Sequence, residues 1–201
     1  MDVDGFWAVI AGARRRCRGD WTGVAAIVAR TLTWLPTEEI ADFAQLHDRF
    51  EHEAYREDLG AACYLINGGF DSDDPFLYFR NWLIVQGRAV YEAALADPDS
   101  LADVPAATAV TATGNDFADC QEFLHVAEHA WDRVTGTEEG GLWYELERRE
   151  YRVMRDRVPL PVRRPIKRTD RNRMFAALPR LAELFYDRAM RSLGTDCTPT
   201  S

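Results

Sequence analysis

Between Phe76 and about Ala96 the chain is apolar nearly all round a helical wheel, with Arg80, Asn81, Gln86 and Arg88 among its few polar residues. A helix that is apolar on every face belongs in the interior, so other helices must surround it. Asp74-Pro75 supplies a cap and a first helical residue, and the spacing predicts one buried central helix over about residues 75–96. Gly87 would let another helix cross it closely. The polar groups carried into that interior must find partners there.

Helical periodicity dominates the remainder. Phe6, Ile10, Ala13 and Cys17 form one stripe, and Trp21, Val24, Val28, Leu32 and Leu35 another. Pro36-Thr37-Glu38-Glu39 reads as a helix start, followed by Ile40, Phe43, His47, Phe50 and Ala54 at spacings of three and four. Phe117, Cys120, Leu124, Ala127, Trp131 and Val134 repeat the pattern up to Gly136, and residues 103–114 read as a weakly patterned loop. No strand pattern stands out. The fold class expected is all-α, an irregular bundle of six to eight helices around the central one. Residues 1–136 are expected to form the core domain. Residues 137–193 would be a helical extension packed on it, and 194–201 a disordered tail.

The formal net charge of -9 is unevenly placed. Residues 148–173 hold eleven Arg or Lys against three acids, on an otherwise acidic chain. Docking of this segment on the acidic body is favoured over an external anion such as nucleic acid, because the chain as a whole is far from basic. No apolar run reaches membrane-spanning length, and the acidic start is unlike a secretory signal. Four scattered cysteines without a CxxC pair read as reduced thiols, and the reading places the chain in the cytoplasm.

The polar residues of the central stretch are the candidates for a site. Asn67, the Gly68-Gly69 backbone, Asp73, Asp74, Arg80, Gln86 and Arg88 are expected to line one pocket, walled by Tyr64, Tyr78 and Trp82. The alternative, that they cap helices and tie the turn to the core, stays open. His47 interrupts the apolar repeat of its own helix, and with Asp58 or Asp74 it could serve acid–base chemistry. Glu122, His125 and His129 are weak metal candidates, since the apolar stripe of their helix points the other way and no second Glu-x-x-His occurs. No phosphate loop, GxSxG or HExxH is found, and no pattern specifies a cofactor.

Three portions carry a family resemblance: Phe6-Trp7 with Ile10, Tyr64-Leu-Ile-Asn-Gly-Gly69 with Asp73-Asp74, and Phe79-Arg80 through Gln86-Gly87-Arg88 to Ser100. With the helices around them, residues 1–136 resemble the DUF4240 family, a bacterial domain of unknown function. The resemblance implies a compact helical domain and brings no established activity, cofactor or catalytic residue. The function expected is a binding or regulatory module for a small polar ligand or partner protein. An enzyme built around His47, Asp58 and Asp74 is the alternative, and anion or nucleic-acid binding through 148–173 is the second.

Overall fold

The computed structural model describes residues 1–18, 20–69, 73–112, 117–137, 140–149 and 171–185. Its α-helices are α1 (Val3–Arg16), α2 (Val24–Leu32), α3 (Thr37–Glu53), α4 (Glu57–Ile66), α5 (Asp73–Val85), α6 (Arg88–Ala96), α7 (Pro105–Ala112), α8 (Val126–Thr135), α9 (Gly141–Arg148) and α10 (Arg171–Ala177). A last helix, α11, runs through 179–185. Two 3-10 turns, Pro98–Asp103 and Gln121–His125, join their neighbours, and no strand occurs among the described residues. The architecture is the irregular all-α bundle expected, cut into shorter helices than the periodicity suggested.

Local chemistry explains several ends. Asp2 caps α1 through Oδ1, which accepts from Gly5 N at 2.8 Å. Proline precedes the first residue of α3, and Glu38 and Glu39 lie in its first turn, where the helix dipole favours acids. Helix α4 closes through Gly68 (φ 69°) and Gly69 (φ 90°). Gly69 N donates to Tyr64 O at 2.8 Å and Gly68 N to Leu65 O at 3.2 Å, the paired bonds of a Schellman end that glycine permits.

The central apolar run is buried in its first half only: Phe79, Trp82, Leu83, Ile84 and Val85 are shielded, whereas beyond Gly87 only Tyr91 and Ala94 are, and Arg88, Ala89, Glu92, Ala93 and Ala96 are exposed. It is two helices rather than one. Gly87 takes φ 90° and ψ 167°, a conformation essentially reserved for glycine, and α5 ends just before it. A Cβ there would lie 3.4 Å from Arg14 Cδ, an ordinary contact, so it is the backbone conformation that calls for glycine, and the neighbour at this point is the arginine of α1.

Helix α3 packs on α5 and α8, and α2 packs on α1 and α8. The centre is aromatic: Phe6 meets Phe43 at 4.6 Å and Phe50 at 5.0 Å, and Trp7 meets Tyr91 at 5.3 Å between ring centroids. Tyr91 OH donates to Phe50 O at 2.7 Å, and burial raises its pKa.

Two further segments differ from the sequence reading. Residues 103–114, expected as a loop, contain α7, with Pro105 opening it and Ala107 and Val110 buried. Alanine's helix propensity outweighs the β-branched residues between. The run from Phe117, expected to be helical throughout, becomes helical only after Cys120. Ala118 N donates to Asn67 Oδ1 at 2.7 Å and Cys120 N to Tyr78 O at 3.1 Å, so tertiary partners take the groups a helix would use.

At the C-terminal side, buried Asp99 accepts from Arg180 N at 3.1 Å and Leu181 N at 2.9 Å, capping α11 from a distant turn. Arg149 reaches Asp42 at 2.8 Å and Glu145 at 2.7 Å, and Arg148 pairs with Glu145. Residues 150–170 of the basic segment, with Arg152, Arg155, Arg163, Arg164, Lys167 and Arg168, lie outside the described residues, as do 186–201 with Cys197.

Candidate functional site

The polar residues of the central stretch are held by named partners. His47 Nε2 lies 2.7 Å from Asn81 Oδ1, both residues buried. Asn81 Nδ2 donates to Glu51 Oε1 at 2.9 Å and Leu77 O at 3.1 Å. That orientation leaves Oδ1 to accept, so the proton shared with His47 sits on the imidazole Nε2. The His47 ring also meets Phe123 edge-on at 5.0 Å.

Three arginines do one job. Arg14 Nη1 donates to Val85 O at 2.7 Å, Arg56 Nη1 to Leu95 O at 2.6 Å, and Arg80 Nη1 to Glu51 O at 2.9 Å. Each carbonyl lies in the last turn of α5, α6 or α3, where helical partners run out and the dipole is negative. Arg80 is also held over Tyr55 at 5.0 Å and Phe76 at 5.2 Å. Burial lowers the pKa of both Arg80 and Arg14; for Arg80, Glu51 opposes the shift most strongly.

Asn67 is buried and spans Ala118, accepting from its N–H at 2.7 Å and donating from Nδ2 to its carbonyl at 3.5 Å. Gln86 donates from Nε2 to Trp82 O at 3.3 Å and accepts from Arg14, also at 3.3 Å. Tyr64 and Trp82 are buried and Tyr78 is half-buried. Asp58 pairs with Arg56 at 2.5 Å, Asp74 is exposed, and the side chain of Asp73 lies outside the described residues. Arg88, at the exposed start of α6, pairs with Asp4 at 2.7 Å and Glu92 at 2.6 Å.

Glu122 and His125 fall in a 3-10 turn while His129 belongs to α8, so the continuous helical face read from the spacing is interrupted. His125 pairs with Glu128 at 3.1 Å. Among the described residues no group of three or more His, Cys, Asp or Glu is placed to hold a metal ion. Burial pushes the Cys120 thiol up to about 12, leaving it protonated near neutrality.

An open hollow of about 350 Å³ lies between α2 and α8. Ala26, Ala29 and Ala130 form its small-residue lining, with Arg30, Thr33, Trp34, His129 and Arg133 around them. Trp34 is 84% exposed, the most exposed large apolar side chain among the described residues. Arg30 and Arg133 make no ion pair, and His129 no hydrogen bond, among the described residues. Thr33 Oγ1 donates to Arg30 O at 2.8 Å. Of these residues only His129 stands out in the sequence. The available signal for the others is that Arg30 and Trp34 lie four apart and off the apolar stripe of α2.

The family profile described as protein of unknown function (DUF4240) matches residues 1–133. The chain belongs to the DUF4240 family. No curated protein and no solved structure matches it. The DUF4240 match covers α1 to α7 and most of α8, and therefore both helices that form the hollow. Among the described residues no helix is long and apolar enough to cross a membrane.

Proposed function

We propose that this DUF4240 domain is a binding module that takes a small polar ligand in the hollow between α2 and α8. The observation that carries the reading is Arg30 and Arg133 bordering one hollow with no ion pair among the described residues. Solvated guanidiniums around a concave alanine surface suit a ligand better than a packing role. The motif residues serve the site indirectly: His47, Asn67, Asn81 and Arg80 tie α3, α4 and α5 together, and α8 packs on α3. A cytoplasmic location is part of the proposal, supported by the free thiols of Cys17, Cys63 and Cys120.

Filling the hollow tests it. Ala29→Phe puts a ring on a half-buried alanine of the lining and keeps a helix-compatible residue. In a thermal-shift screen of water-soluble metabolites, compounds that raise the Tm of wild type should lose that effect on Ala29→Phe. A compound present at about a hundred times its Kd adds about 2.7 kcal/mol of stability, a shift easily read. Undiminished shifts on the filled variant would place binding elsewhere.

A further inference from the structure

If the hollow between α2 and α8 is the binding site proposed for this domain, the chemistry around it narrows the ligand further. We infer that the hollow accepts a phosphoryl group joined to a planar ring, a compound of mononucleotide size.

Two guanidiniums and an imidazole reach the hollow from two helices, Arg30 from α2 and His129 with Arg133 from α8. A carboxylate offers two oxygens in one plane, which a single bidentate arginine can satisfy. Three donor groups arriving from separate backbone positions suit a tetrahedral dianion, whose oxygens point in different directions. The Thr33 hydroxyl is committed to the Arg30 carbonyl at 2.8 Å, which leaves the recognition to charged or chargeable groups.

Trp34 supplies the second half of the recognition. At 84% exposure its indole is open to solvent, and it borders the same hollow as the arginines. A planar ring on the ligand would cover it, removing apolar surface from water on both sides. A volume of about 350 Å³ sits at the small end of ligand sites, enough for one ring with its phosphoryl group and too little for a dinucleotide. The alanines beneath leave room for it and offer no competing polar group.

The test is isothermal titration of the full chain with AMP, adenosine, inorganic phosphate and phenyl phosphate. AMP should bind, with adenosine and phosphate each weaker by roughly tenfold or more, because each lacks one half of the recognition. The double variant R30A/R133A should weaken AMP by roughly a hundredfold. Trp34→Ala should cost roughly tenfold, whereas Trp34→Phe, which keeps an aromatic face, should stay within about threefold of wild type. Circular dichroism checks that each variant is folded; these surface positions tolerate the changes. Phenyl phosphate binding as well as AMP would assign the site to aryl phosphates generally, within the inference. Three results would overturn it: no AMP binding at about 1 mM, affinity unchanged in R30A/R133A, or phosphate alone matching AMP. If AMP fails while another compound is lost on Ala29→Phe, this inference falls and the binding hollow stands. If compounds bind the filled variant undiminished, the hollow itself is wrong.

Discussion

Asn67 shows how a conspicuous polar residue can be spent on holding a fold. Its amide pairs with both backbone groups of Ala118, fifty-one residues away, inside the core. Asn67→Ala would strand the N–H and the carbonyl of that residue without water to replace the lost partner. Leaving buried groups unsatisfied costs about 2–3 kcal/mol, so urea denaturation should show stability lowered by that amount with the slope little changed. A loss below about 0.5 kcal/mol would mean that water reaches Ala118. Sequence pattern points to Asn67 and His47 as residues needing partners. It does not name Ala118 or Asn81 as those partners, because periodicity reports which face is buried and says nothing about what lies across it.

At the scale of the element, short helices multiply exposed ends, and this chain closes several of them with arginines from elsewhere in the sequence. Arg14, Arg56 and Arg80 each donate to a carbonyl in the last turn of another helix. The break at Gly87 is the clearest case, since it ends α5 and opens the place where Arg14 docks. Gly87→Ala should destabilise the protein by roughly 1–3 kcal/mol, because it forces alanine into a glycine-only backbone conformation. Differential scanning calorimetry would check it, and an unchanged Tm would show that α5 and α6 can be rejoined without strain. The buried character of Phe79 to Gln86 was legible because apolar residues recur on every face, whereas the outer face of α6 reads as interior only because alanines fill it. The break was not legible, since a lone glycine in a helical run is equally consistent with a close crossing. The helix over Pro105–Ala112 was missed for a related reason: its small residues carry little periodic signal.

For the molecule as a whole, the polar residues singled out fall into two groups. His47, Asn67, Asn81 and Gln86 are paired inside the bundle, while Arg30, His129, Arg133 and the exposed Trp34 border a hollow between α2 and α8. The all-α class and the buried centre followed from the sequence alone. The hollow did not, because it needs two helices far apart in the chain, Val24–Leu32 and Val126–Thr135, to lie side by side, and no spacing within either one records that. The six tryptophans provide reporters in both places, with Trp82 fully buried among the motif residues and Trp34 at the hollow. The most direct test follows their indole N–H resonances, assigned by single Trp→Phe variants, during titration with AMP or any compound that raises the Tm. Binding in the hollow should move the Trp34 resonance saturably and leave that of Trp82 in place. Movement of Trp82 with Trp34 unchanged would put the ligand among the motif residues and refute the hollow as the site.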